Sequence, residues 1–178
     1  MKKYHIAGAV FTLIAGTLLH FTYDWSGQNE LVGLFSAVNE STWEHLKLLA
    51  FPVMIFAVFE CYAYGRQKQN FYPAKAASVL TGMAVIVTLF YTYTGIIGTN
   101  FLALDIAVFI AGVLAAYSVS YKILKGNKLS SPSAKAAACF VFIALIVCFA
   151  VFTSYPPLTG LFRDPVSGGY GRDILLIG

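Results

Sequence analysis

Five apolar runs dominate this chain, near 4–23, 43–65, 74–95, 100–121 and 135–154. Each is long enough to cross a bilayer as a helix, which takes about 20 residues. Hydrocarbon offers no partners for backbone polar groups, so spanning runs of this length predict helices that satisfy themselves. Composition points the same way. Hydrophobic residues make up 58% of the 178 and charged residues 11%, against roughly 25% charged in soluble domains. A water-soluble core of this size cannot bury so much apolar surface, and disordered chains carry far less of it. The expected fold is all-α: a polytopic membrane protein of five transmembrane helices, with a short re-entrant or interfacial segment after the first. It forms one domain over 1–178, with an external tail over 155–178.

The loops set an expected orientation. Lys2 and Lys3 precede the first run. Arg66, Lys68 and Lys75 surround the second connection, and Lys122, Lys125, Lys128 and Lys135 the fourth. These are nine of the 12 basic residues. The positive-inside rule then places the N-terminus in the cytoplasm and the C-terminus outside, in a bacterial cytoplasmic membrane. The net charge of +4 therefore follows loop position and does not indicate nucleic acid. Met1, Lys2 and Lys3 lead into an apolar run without a small-residue cleavage site, which reads as a retained first span. Cys61, Cys139 and Cys148 lie in apolar runs without CxxC spacing and read as small hydrophobes.

Small residues recur at helical spacing. Gly8, Thr12 and Gly16 form a row that continues to His20 and Asp24. Ala74, Ser78 and Gly82 form a second, and Ala103, Ala107, Ala111 and Ala115 a third. Such rows let helices approach closely in lipid, so His20 and Asp24 are expected to face neighbouring helices. Pro52 should kink the second span near Leu48, whose carbonyl loses its helical partner.

Polar residues gather between His20 and Lys47. The stretch 31–38 is apolar but too short to span. His20 and Asp24 share a helix face, as do Glu40 and Glu44. With His45, these groups are expected to converge at the outer end of the bundle. Two imidazoles and nearby carboxylates are the ligand types of zinc or another divalent metal. His20, Asp24, Glu40 and His45 are the expected ligands, and His20, Asp24, Glu44 and His45 the expected acid–base groups. Asn39, Ser41, Trp43, Lys47, Asp105 and Asp164 are the expected remainder of the pocket. Structural roles compete with these. Ser41 and Glu44 have the spacing of a capping box. Asn39 suits a cap or turn. Trp25 and Trp43 are residue types of the membrane interface. Lys47 can balance Glu40 or Glu44, and Arg66 and Lys68 can neutralise Glu60. Asp105 sits one turn into the fourth span, on a face with Gly112 and Ala116, where an ionisable group is costly.

Trp25-Ser26-Gly27 and Asn39-Glu40-Ser41-Thr42-Trp43-Glu44-His45-Leu46-Lys47, followed by Pro52, resemble a family of small bacterial integral membrane proteins of unknown function. Leu161-Phe162-Arg163-Asp164-Pro165 and Tyr170-Gly171 look like the C-terminal pattern of that family. The resemblance implies five spans and brings no reaction, ligand or cofactor. Three functions fit the residues. The first is an outward-facing, metal-assisted enzyme acting on a lipid or other amphiphile. The second is a non-catalytic membrane subunit that binds a small molecule or supports a partner. The third is a transporter subunit, which with five spans requires an oligomer.

Overall fold

The computed structural model describes residues 1–172. Residues 173–178, the end of the expected external tail, lie outside the described residues. Among the described residues six α-helices follow one another: α1 (Lys2–Trp25), α2 (Glu30–Gly33), α3 (Thr42–Ala63), α4 (Phe71–Ile97), α5 (Leu102–Lys125) and α6 (Pro132–Ser154), with a short 3-10 turn at Gly65–Gln67 between α3 and α4. All but α2 are long and apolar enough to cross a membrane. Their boundaries follow local chemistry. The Asn29 side chain accepts from the amides of Leu31 and Val32 and so starts α2. Ser131 caps α6 just ahead of Pro132, a residue that suits the first helical position. Gly98 ends α4 in the left-handed conformation, φ 85°, which glycine adopts without a Cβ penalty.

The most buried of the spanning helices is α3. It packs against α1, α4 and α6, while α5 lies along α4 and also touches α1. Leu49, Val53, Val79, Val113 and Phe149 form the fully buried centre. Close approach comes from the expected rows on α1 and α4, where Gly8, Thr12 and Gly16, and Ala74, Ser78 and Gly82, are buried. A Cβ on Gly16 would come within 2.4 Å of the Leu48 carbonyl oxygen. That is the carbonyl released by Pro52, so the glycine covers the backbone defect of α3. The Ser78 hydroxyl donates to the Ala116 carbonyl across α4–α5, 2.8 Å. The alanine row expected on α5 is a correction: Ala103 and Ala107 are exposed and Ala111 and Ala115 half-buried. The buried face is Val108, Gly112, Ala116 and Ser120, because α4 offers a glycine at Gly82 that meets Gly112 backbone to backbone.

The bundle has two dissimilar ends. At the basic end lie the N-terminus and the α3–α4 and α5–α6 connections. Asn70 joins the two connections by donating to the carbonyls of Ile123, Gly126 and Lys128. Beneath it Glu60 is buried and paired with Lys75, not with Arg66 or Lys68. Lys75 stands one turn inside α4 and points into the bundle, whereas Arg66 and Lys68 are exposed. The Tyr64 phenol also donates to Glu60, 2.6 Å. Burial and this hydrogen bond hold its pKa well above the usual range, so it keeps its proton. His5 completes the set, 3.6 Å from Glu60, with its other nitrogen 3.3 Å from the Ser120 hydroxyl.

At the opposite, tail end the segment after α6 is docked. Trp43 N–H donates to the Leu161 carbonyl at 3.0 Å, and Arg172 N–H to the Thr153 carbonyl at 2.8 Å. The Asn39 amide donates to the Gly171 carbonyl at 3.0 Å. These bonds seal the ends of α3 and α6.

Candidate metal centre

Two helices and one loop build the site. His20 continues the buried row of α1, half-exposed in the last turn but one of that helix. His45 lies in the first turn of α3, and Glu40 just ahead of that helix. The close α1–α3 packing at Gly16 is what brings the imidazoles together, with ring centroids 5.0 Å apart. Glu40 lies between them. Its Oε1 is 3.9 Å from His20 Nε2, and its Oε2 is 3.4 Å from His45 Nε2. One ligand atom from each of the three falls within 4.8 Å of the others.

Local bonds aim these groups. His45 Nδ1–H donates to the Ser41 carbonyl, 2.9 Å. In the neutral ring this bond leaves Nε2, on the Glu40 side, as the ligating nitrogen, the outer-shell arrangement of metal-ligating histidines. His20 stacks on Phe21, and Phe21 on Trp25. Loop 34–38 is pinned to the same turn of α1: the Ser36 hydroxyl donates to the Leu19 carbonyl and accepts from Tyr23 N–H.

The donor set fits a divalent ion. Zinc binds histidine nitrogen and carboxylate oxygen at about 2.0–2.2 Å, so tetrahedral ligand atoms stand about 3.3 Å apart. The separation of His45 Nε2 from Glu40 Oε2 matches this, and His20 Nε2 is 3.9 Å from the other oxygen, Oε1. With one atom from each residue the three spread up to 4.8 Å, so the ligands would draw together by up to about 1.5 Å around an ion. His20 and His45 are half-buried and Glu40 is exposed, so solvent reaches the cluster.

Other expected site residues lie elsewhere, each for a visible reason. Asp24 is exposed and outside the cluster, since α1 ends one residue later and Asp24 lies beyond the packed part of its row. Glu44 turns inward and is buried. It accepts from Lys47 Nζ at 2.6 Å and from Val38 N–H at 3.1 Å. It is therefore half of a capping box only: Ser41 Oγ accepts from Glu44 N–H at 3.4 Å, but the Ser41 amide goes to Asn39. Lys47 is completely buried, within reach of Glu44, Thr153 and the carbonyls of Gly33 and Ser36. Its work is to hold the loop and α6 onto α3. Trp43 is packed between Phe149, Phe152 and Phe162 instead of marking an interface, because the docked tail covers it. Asp105 is bound by Tyr93 and Asn100 and fastens the α4–α5 turn. Asp164 is buried in its own turn, accepting from Val166 N–H and the Ser167 hydroxyl.

Sequence reasoning overlooked Ser36, Thr153 and His5. Ser36 and Thr153 are single hydroxyls whose partners lie in distant segments, and no local spacing marks them. His5 had a usable signal: antiparallel spans place it level with Glu60.

A family model matches residues 1–172. The chain belongs to DUF6512, a family of unknown function. No curated protein and no solved structure matches it. Membership supplies no chemistry, so function rests on the geometry of the chain itself.

Proposed function

We propose that this membrane protein holds a divalent transition metal such as zinc on His20, Glu40 and His45, and uses it to hydrolyse a lipid or other amphiphile. The observation that carries this reading is the convergence of three donors within 4.8 Å, one already oriented through its second nitrogen. Three protein ligands and an open position are the pattern of catalytic zinc. When bound, such an ion lowers the pKa of water and polarises a carbonyl or phosphoryl oxygen. The chain's own contribution is geometric. Ser41 sets the His45 ring, Phe21 backs His20, and Glu40 bridges the two imidazoles. The ladder His20–Phe21–Trp25 runs along the end of α1, and aromatic side chains favour headgroup depth. An amphiphile is therefore the substrate class best placed to reach the site. The positive-inside rule puts this end outside the cytoplasm.

A second reading is favoured by one observation. Glu44 is bound to Lys47 and Asp24 lies outside the cluster, so no second carboxylate stands beside Glu40 and the two histidines as a separate general base among the described residues. A non-catalytic metal-binding subunit needs none. Metal analysis of the purified chain, followed by assay on fluorogenic ester and phosphodiester lipids, separates the readings. One ion per chain with turnover that disappears in Glu40→Gln supports the enzyme. One ion without turnover leaves the binding subunit. Absence of metal from the wild type after reconstitution with zinc, cobalt or manganese removes both.

A further inference from the structure

A second feature of the molecule lies at the basic end and owes nothing to the metal reading. Between α3, α4 and α6 runs a groove of about 380 Å³. Its walls are mostly apolar along the membrane-crossing part, with Met54 and Val58 from α3 and Phe142 from α6, and the one cation in that wall, Lys75, is already paired with Glu60. Its mouth is polar, framed by Tyr62, Arg66 and Tyr72. From Met54 to Tyr62 α3 advances eight residues, about 12 Å at 1.5 Å per residue. One leaflet of hydrocarbon is about 15 Å deep, half of a core of about 30 Å. The groove is thus greasy for roughly one leaflet and cationic at the headgroup end.

Charge decides the occupant. Arg66 is exposed and lies over the Tyr62 ring, 4.2 Å from its centroid. Among the described residues it meets no carboxylate. Glu60 is the acid at this end, and it is already paired with Lys75 and bonded by Tyr64. Lys2, Lys3, Lys68, Lys122, Lys125, Lys128 and Lys135 add positive charge from the same end. An apolar slot of leaflet depth that ends at an uncompensated guanidinium is complementary to one ligand class. Guanidinium binds phosphate oxygens in a planar fork, and basic pockets between membrane helices recognise anionic headgroups.

We infer that this groove binds an anionic phospholipid, with its phosphate on Arg66 and an acyl chain against Met54, Val58 and Phe142. Native mass spectrometry of the detergent-solubilised chain, titrated with phosphatidylglycerol or phosphatidylcholine, tests it. The wild type should prefer phosphatidylglycerol by about fivefold, the worth of one basic side chain near an anionic surface. Arg66→Gln should erase that preference without changing thermal stability in phosphatidylcholine micelles. Val58→Trp, a substitution at an exposed position, should weaken both lipids by filling the slot, and keeps the test valid should Arg66→Gln fold poorly. Equal binding of the two lipids by the wild type overturns the inference. So does an unchanged preference in Arg66→Gln, or glycerol phosphate binding as tightly as the whole lipid.

Discussion

The two ends of the bundle use the same residue types in opposite ways. At the basic end His5 and Glu60 meet in a buried setting, and Lys75 supplies the cation. At the tail end His20, His45 and Glu40 meet half-exposed, and no lysine or arginine reaches Glu40 among the described residues. A buried carboxylate must be paired, because an uncompensated charge in a medium of low dielectric costs several kcal/mol. Glu60 has its partner within the chain. Glu40 has two imidazoles beside it instead, and imidazole nitrogen with carboxylate oxygen is a ligand set. The comparison separates a cluster that holds helices together from one that can bind something.

Substitutions can break this contrast, and the largest effect is expected at the basic end. Lys75→Met leaves Glu60 buried without its cation and should cost about 3–5 kcal/mol, read as a drop in the thermal midpoint in detergent. Adding Glu60→Gln should recover much of that loss, since an apolar or neutral replacement of the pair removes the stranded charge. A Lys75→Met protein as stable as wild type would show that the pair carries no structural weight.

Gly16→Ala comes next. The new methyl meets the Leu48 carbonyl, which cannot retreat as a side chain would, so overpacking of about 1–3 kcal/mol is expected. Because Gly16 sets the α1–α3 approach that joins His20 to His45, metal affinity should fall together with stability. A stability loss with unchanged affinity would separate the packing from the site.

At the tail end the pattern should invert. Glu40→Gln, His20→Ala and His45→Ala alter half-exposed groups and should change stability by less than about 1 kcal/mol. Their metal affinity should fall by at least the 10–100-fold typical of losing an outer-shell partner, measured by equilibrium titration. Asn39→Ala sharpens the contrast further. It removes the bonds to Gly171 and Ser41 and should cost about 1 kcal/mol, loosening the tail while sparing the ligands. The smallest effect belongs to Asp24→Asn, which should leave both stability and metal binding unchanged. A loss of affinity there would return Asp24 to the ligand set.

The membrane helices were legible because length and apolarity are written locally, and hydrocarbon leaves few alternatives. The Gly8, Thr12 and Gly16 row also predicted its continuation as far as His20, which faces α3 because the row does, but not to Asp24, which is exposed. Glu44 was harder. Its spacing from Ser41 suits a cap, its spacing from Glu40 suits a shared face, and only the fold shows that Lys47 and the Val38 amide claim it. Glu40 itself lies ahead of α3, where helical periodicity says nothing about direction. Trp43 was misread for a related reason. An aromatic at a helix start suits an interface until a distant segment, here Leu161 and Phe162, folds over it. The α5 alanines show the limit of pattern reading in lipid. A small-residue row permits close packing, but the row that is used is the one opposite a complementary glycine, and that depends on the partner helix.

The claim that α1 and α3 form a metal-binding pair is met most directly by X-ray absorption at the zinc edge of the purified chain loaded with one equivalent of zinc. The account predicts a first shell of nitrogen and oxygen at about 2.0–2.1 Å, with the outer scattering of two imidazoles reduced to one in His20→Ala and in His45→Ala. A wild-type protein that takes up no zinc, or a spectrum without imidazole scattering that neither substitution changes, would contradict it.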